Sequence, residues 1–298
     1  MKQFPFKKID AFATPSSSGN PAALVSLQAE SDASPADMQR IARELKGFVS
    51  EVGFAWPLPD RSFRLRYFSS EREVEFCGHA TIAILYDLIL NDPLLLRRPT
   101  LSIQTNSATL EVENRIPSEN AVYVASPSPR FRTASVPPAT LAQALRSPHP
   151  SLVSSLPVSI VNAGLETLLV PMASPESVLS LAPSFDELKA FCLAQSVDIL
   201  VAFSGDPSAP EPTFRTRVFA PTFGYLEDPA TGSGNAALGH YLLANRLWDG
   251  RPMALRQNAS RLHPNLVRIV AKPTAQDAPS VLFGGGAIVR IQGRYFLP

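Results

Sequence analysis

Proline governs what this chain can build. Twenty-nine of its 298 residues are proline, about twice the average usage of roughly 5%. Each proline holds φ at about −65° and donates no backbone N–H, so it interrupts helix interiors and central strands alike. The chain must therefore be assembled from many short elements. Two proline-rich stretches, SPSPRFRTASVPPAT (Ser126–Thr140) and SGDPSAPEPT (Ser204–Thr213), read as loops. The first is the expected linker between two halves.

Between the prolines the pattern is legible. Short, apolar, alternating runs predict strands at Phe6–Phe12, Ala22–Ser26, Val52–Trp56, Phe63–Tyr67, Leu101–Thr105, Thr109–Glu113 and Ala121–Ala125. Helices fit Pro35–Leu45, where Ser34 can cap and Pro35 takes the first helical position, and Ala80–Leu90. Beyond the linker, helices are expected at Leu141–Leu145, Phe185–Gln195 and Ser233–Leu247. Strands are expected there at Val158–Asn162, Thr167–Pro171, Ile199–Ala202, Thr213–Val218, Val267–Ala271, Ser280–Gly284 and Ala287–Gln292. The length suits two modest domains: an N-terminal lobe over residues 1–126 and a C-terminal lobe over 127–280, with 281–298 read as closing strands that can return to the first lobe.

Bulk properties exclude several classes. At 45% hydrophobic content the chain can bury a sizeable core. Its apolar runs, such as Ile82–Leu90 with Asp87 inside it, stop well short of the roughly 18 residues that span a bilayer. The N-terminal MKQFPFKKIDAF runs into a strand pattern and lacks the features of a secretory signal, so a cytoplasmic protein with no membrane partner is expected. Basic residues number 27 and acidic ones 26, for a net charge of +1, which leaves nucleic acid an improbable partner. Cys77 and Cys192 stand far apart and outside any paired-thiol or zinc spacing, so neither a disulfide scaffold nor a metal site is expected.

A phrase recurs in each half. CGHATIAILYDLIL (Cys77–Leu90) and TGSGNAALGHYLLA (Thr231–Ala244) both place a glycine and a small polar residue at the mouth of an apolar helix, which suggests a duplicated unit. Such a mouth presents unpaired N–H groups and the positive end of the helix dipole, which hold a carboxylate without a cationic side chain. Two of them facing across a cleft would clamp one anionic ligand. The plain alternative is two ordinary helix starts that use glycine for close packing.

Four residues stand out chemically. Glu51, in FVSEVGFAWP, sits at the start of an apolar strand flanked by Phe48, Phe54 and Trp56, where desolvation would suit it to general acid/base work; a strand-edge Glu facing water is the dull alternative. His79 follows Gly78 at the first helix mouth and Asp228 lies just before the second, in GYLEDPATGSGN. Each also has an ordinary reading, as a helix cap and as a turn former before Pro229. Cys77 is a thiol at a helix start beside a His, the setting of an activated thiol or, more plainly, a buried inert one. TGSGN lacks the first Gly of a nucleophile elbow, and neither phrase is a GxGxxG or a P-loop.

Taken in order, these motifs identify a family. IDAF with SGNPAALV (Ile9–Phe12, Ser18–Val25), SEVGF (Ser50–Phe54), RYFSSEREVEFCGHAT (Arg66–Thr81), FAPTFGYLEDPATGSGNAALGHYL (Phe219–Leu242) and FGGGAIVRIQG (Phe283–Gly293) resemble the phenazine-biosynthesis-like (PhzF-like) isomerases over essentially the whole chain. The resemblance implies an α+β, diaminopimelate epimerase-like fold: two pseudo-symmetric lobes, each a barrel-like mixed or antiparallel sheet around a central helix. It implies a homodimer and a cofactor-independent isomerase acting on a small carboxylic acid, with Glu51 moving a proton between carbons. It also implies that His79 and Asp228 bind and polarise the substrate, that Asn20, Ser50, Gly78, Thr231, Gly232 and Ser233 bind it, and that the amides near Gly78 and Gly232–Ser233 hold its carboxylate. Val52 stands where the family has Thr, Ser70 and Glu75 where proline is frequent, and Gly234 where Ala is usual, so the phenazine-pathway substrate itself is not implied. Two rivals are a Cys77-dependent dehydratase or epimerase, suggested by Cys77 standing opposite Thr231, and a non-catalytic acid-binding protein of the same fold.

Overall fold

The structure, a computed structural model, describes residues 1–147, 155–207, 209, 211–274 and 279–298. The chain divides into two units, Met1–Val124 with Gly284–Pro298, and Ala125–Phe283. Among the described residues no helix is long and apolar enough to cross a membrane.

The first unit runs β1 (Lys2–Ala11), β2 (Asn20–Ser26), α1 (Pro35–Glu44), β3 (Glu51–Pro57), β4 (Phe63–Phe68), β5 (Glu73–Val74), α2 (Gly78–Leu90), α3 (Pro93–Leu96), β6 (Thr100–Gln104), β7 (Thr109–Asn114), α4 (Ile116–Glu119) and β8 (Val122–Ala125). Strand β2 lies antiparallel to β1 and parallel to β3, which sets Ala22 across from Glu51. Helix α2 is apolar on every side, and Ala80 to Asp87 are all buried; a helix of that kind belongs inside, and it packs against β1, β2 and β3. Helix α1 is amphipathic by contrast. Ser34 accepts from the Asp37 N–H at 3.1 Å and Pro35 leads the helix, while Met38 and Ile41 join Phe54, Trp56 and Phe68 in a second cluster.

The second unit runs β9 (Arg130–Thr133), α5 (Pro138–Leu145), β10 (Ser159–Asn162), β11 (Glu166–Pro171), α6 (Pro175–Leu179), α7 (Phe185–Gln195), β12 (Ile199–Gly205), β13 (Phe214–Phe219), β14 (Glu227–Asp228), α8 (Gly232–Ala244), β15 (Met253–Gln257), β16 (Asn265–Lys272) and β17 (Ser280–Gly285). Helix α8 is buried along almost its whole length and packs against β10, β11, β12 and β16. Strand β18 (Ala287–Leu297) then returns to the first unit as the antiparallel partner of β1.

Element order repeats from β3 to β7 and from β12 to β16: two strands, a two-residue strand, a 13-residue helix and two more strands, with the short α3 added before β6 in the first unit. Details repeat as well. Cys77 (φ −136°, ψ 108°) and Thr231 (φ −123°, ψ 111°) precede the two helices in the same extended conformation. Arg66 grips Glu73 through two hydrogen bonds and lies over Phe68, as Arg217 grips Glu227 and lies over Phe219. The hexapeptides FRLRYF and FRTRVF carry this copy.

Several sequence expectations change. The stretch Ser126–Thr140 is not one loop: its proline-free tetrad Arg130–Thr133 forms β9 beside β10, and Pro138 opens α5 at a position where proline is tolerated. In the second proline stretch, positions 208 and 210 lie outside the described residues. Strand β1 begins before Pro5 because β2 pairs only from Phe6 onward, so the missing N–H faces no central neighbour. Strand β15 is an addition. Met253, Leu255 and Gln257 alternate inward, but Arg256 and Gln257 disguise the pattern as a polar loop.

Candidate functional site

In the first unit the site grows from the parallel start of β2 and β3. Gly19 turns the chain into β2 with φ +68°, and a Cβ there would lie 2.7 Å from the Ala11 carbonyl oxygen, so only glycine fits. Asn20, fully buried, follows it. The Ser50 N–H donates to the Pro21 carbonyl at 3.2 Å, which anchors β3 at the residue before Glu51.

Glu51 turns one carboxylate oxygen inward. That oxygen, Oε2, is buried and lies 3.2 Å from His79 Nε2, yet among the described residues no donor is aligned with it in a hydrogen bond. His79 is the second residue of α2, because the helix begins at Gly78. The other ring nitrogen, Nδ1, is 3.5 Å from the Cys77 sulfur, against 4.0 Å for Nε2. Burial opposes a charge on the ring, but the Cys77 sulfur and the Glu51 carboxylate outweigh it and hold the imidazole well above its ordinary range. Burial pushes the Cys77 thiol up, with the His79 ring opposing. Beneath it, the buried Tyr67 hydroxyl meets Thr81 Oγ1 at 2.7 Å, and Thr81 donates to the Cys77 carbonyl at 2.7 Å, which pins the start of α2.

The Glu51, Cys77 and His79 donor atoms all lie within 4.8 Å of one another, close enough to suggest a three-ligand metal site. His79 Nε2 lies 3.2 Å from the carboxylate and 4.0 Å from the sulfur, and Nδ1 lies 3.5 Å from the sulfur, so the ring stands between the other two groups. This arrangement suits proton exchange along Glu51, His79 and Cys77.

In the second unit Asp228, Thr231, Gly232 and Ser233 gather at the start of α8. Asp228 and Thr231 are buried, and the Thr231 hydroxyl donates to Asp228 Oδ2 at 2.5 Å. Gly232 is required by packing, since a Cβ there would stand 2.3 Å from the Phe283 ring. Two side chains that the sequence did not point to hold this segment: Gln257 of β15 and Asn265 of β16, both fully buried. Their polarity inside an apolar strand pattern was the available signal, hidden because β15 itself was not recognised.

A model of the phenazine biosynthesis-like proteins matches residues 9–293. The Bacillus subtilis protein named "uncharacterized isomerase YfhB" is 30% identical over 81% of this chain and 82% of its own. The structure is similar to that of a PhzF-family phenazine biosynthesis protein of Bacillus anthracis, with TM-score 0.87 at 21% identity and complete coverage of both chains. A hydroxyproline epimerase of Agrobacterium vitis shares the fold more distantly, with TM-score 0.59 at 10% identity over 99% of this chain and 91% of that one. The α+β, diaminopimelate epimerase-like architecture is thereby established.

Proposed function

The chain belongs to the phenazine biosynthesis-like protein family, and from that membership together with the Glu51–His79 pair we propose that it is an isomerase that shifts a hydrogen within a small carboxylic acid, without a cofactor. The relatives bearing the isomerase name support the reaction class. The observation that carries the role of Glu51 is its buried Oε2, 3.2 Å from the His79 ring and, among the described residues, engaged in no aligned hydrogen bond. A buried acceptor left in that state is costly for a purely structural residue, and catalytic groups commonly reach good alignment only with substrate bound.

Glu51 takes the proton from one carbon while the freed electron pair moves into the adjoining unsaturated system. The neutral carboxylic acid exchanges its proton with water and protonates a second carbon, so one proton leaves and one arrives and no electron is gained or lost. The His79 ring lies 3.2 Å from the Glu51 carboxyl that takes part in both steps. In this reading the helix-start amides of Gly78, Gly232 and Ser233 hold the substrate carboxylate and stabilise charge that develops on it. Asp228 and Thr231 bind its polar substituent, and Asn20 and Ser50 frame Glu51.

Incubation with a panel of small amino and dihydroaromatic acids in deuterated water tests this reading. One acid is expected to take up deuterium at a carbon position. An acid that binds and takes up none overturns it in favour of a non-catalytic binding protein.

The contact between Cys77 Sγ and His79 Nδ1 supports one second reading, a thiol-dependent dehydratase or epimerase. Burial keeps the thiol protonated, which disfavours it. Cys77→Ser is therefore expected to retain activity within a few-fold, far from the roughly 10²–10⁴-fold loss that removal of a general acid/base causes; a loss of that larger size would assign the base to the thiol.

A further inference from the structure

The segment Asp228–Thr231 carries two of the groups assigned above to the substrate, yet it is a two-residue strand followed by a helix cap with no cap bond from its own side chain. What fixes it comes from a cross-strand pair. Gln257 and Asn265 face each other in the β15–β16 ladder, and both side-chain amides reach the same turn. Gln257 Nε2 donates to the Asp228 carbonyl at 2.8 Å and to Thr231 Oγ1 at 3.1 Å. Gln257 Oε1 accepts from the Thr231 N–H at 2.9 Å and from Asn235 Nδ2 at 2.6 Å. Asn265 Nδ2 donates to the Pro229 carbonyl at 2.8 Å.

These bonds have a direction. Turning the Gln257 amide over would set its NH₂ against the Thr231 N–H and the Asn235 NH₂, so one orientation is enforced. Because Thr231 Oγ1 receives a hydrogen from Gln257, its own hydrogen is committed to Asp228 Oδ2. The chain Gln257 to Thr231 to Asp228 polarises each bond in turn. Position 257 has no counterpart of this kind in the first unit: the register β13–β15 matches Thr216 with Gln257, and β4–β6 matches Arg64 with Gln104 one step earlier, which leaves Thr105, a turn residue, in the equivalent place.

We infer that Gln257 is a positioning residue, which orients the Thr231 hydroxyl and through it the Asp228 carboxylate at the start of α8. Its functional consequence rests on the isomerase reading; its structural content does not.

The test is a double-substitution cycle in denaturant unfolding. Gln257→Glu keeps the acceptor that serves Thr231 and Asn235 but replaces the donor with an oxygen facing the Asp228 carbonyl and the Thr231 hydroxyl. The folding equilibrium constant is expected to fall, and to fall roughly tenfold less in an Asp228→Asn background, since coupled neighbours are not additive. Equal losses in both backgrounds would mean that Gln257 merely fills space, and the inference fails. Should Gln257→Glu not fold at neutral pH, it is expected to refold on acidification, when the introduced carboxyl regains a proton to donate; no recovery overturns the inference equally. With any acid that exchanges deuterium, kcat of Gln257→Glu is expected to be about tenfold down and to recover as pH falls. Failure of the native chain to exchange any acid would sink the functional reading alone, and the cycle would still decide the positioning role.

Discussion

Glu51→Gln is expected to lower kcat by roughly 10²–10⁴-fold, the usual loss when a general acid/base is removed, in a protein that still folds. The substitution keeps the size and shape of the side chain, so the surroundings of β3, including the buried Val52 and Phe54, are undisturbed. It removes the group proposed to accept a proton from carbon, and among the described residues no aligned donor to Glu51 Oε2 is left behind. A second consequence follows for His79. With the carboxylate gone, the protonated ring loses one of its supports while burial still opposes it and the Cys77 sulfur remains. A histidine whose folded pKa is raised contributes stability in full below its unfolded value of about 6.5 and loses it as pH rises through the folded pKa. The stability difference between native chain and variant should therefore be largest in mild acid and shrink on going alkaline. Steady-state kinetics with the exchanging acid, and unfolding midpoints across pH, check both parts. A fully active Glu51→Gln protein would end the mechanism.

Much of this was legible before the fold. The apolar helices beginning at Gly78 and Gly232, the capped start of α1 at Ser34 and the placement of Glu51 at the head of a buried strand all follow from local pattern, because hydrophobic period, glycine and capping residues act over a few residues. The nearness of Glu51, Cys77 and His79 was less accessible. Glu51 is brought to the start of α2 by a parallel pairing of β2 with β3, and no local pattern encodes a parallel register. The duplicated helix phrase was visible, whereas its better-conserved companion, FRLRYF against FRTRVF, is meaningful only once Arg66 and Arg217 are seen to grip Glu73 and Glu227 from the same place in each unit. Gln257 and Asn265 illustrate the remaining gap. Polar residues in a weak strand pattern look like loop, and only the buried turn they serve explains them.

The second large effect concerns acid stability and comes from a histidine outside the site. His240 lies on the buried face of α8, and its Nε2 is 3.0 Å from the hydroxyl of Ser126, itself buried. Burial lowers the imidazole from 6.5 to about 4, because removal from water penalises its charged form. The folded chain therefore keeps His240 neutral while the unfolded chain protonates it throughout the interval between those values. Stability rises with pH wherever the unfolded state binds more protons, so the His240 contribution is complete above about 6.5 and is lost as pH falls towards 4. At 1.36 kcal/mol per pH unit, and with some allowance for screening, the loss is on the order of 2 kcal/mol. His240→Gln supplies an amide that can meet Ser126 but does not titrate. Carboxylates elsewhere titrate equally in both chains, so the difference between their unfolding free energies isolates this group. The native chain is expected to lose about 2 kcal/mol relative to His240→Gln between pH 6.5 and 4, read from urea unfolding at each pH. Parallel pH profiles would mean that the ring reaches water or a counter-charge, and that the packing of α8 around it is looser than the fold requires.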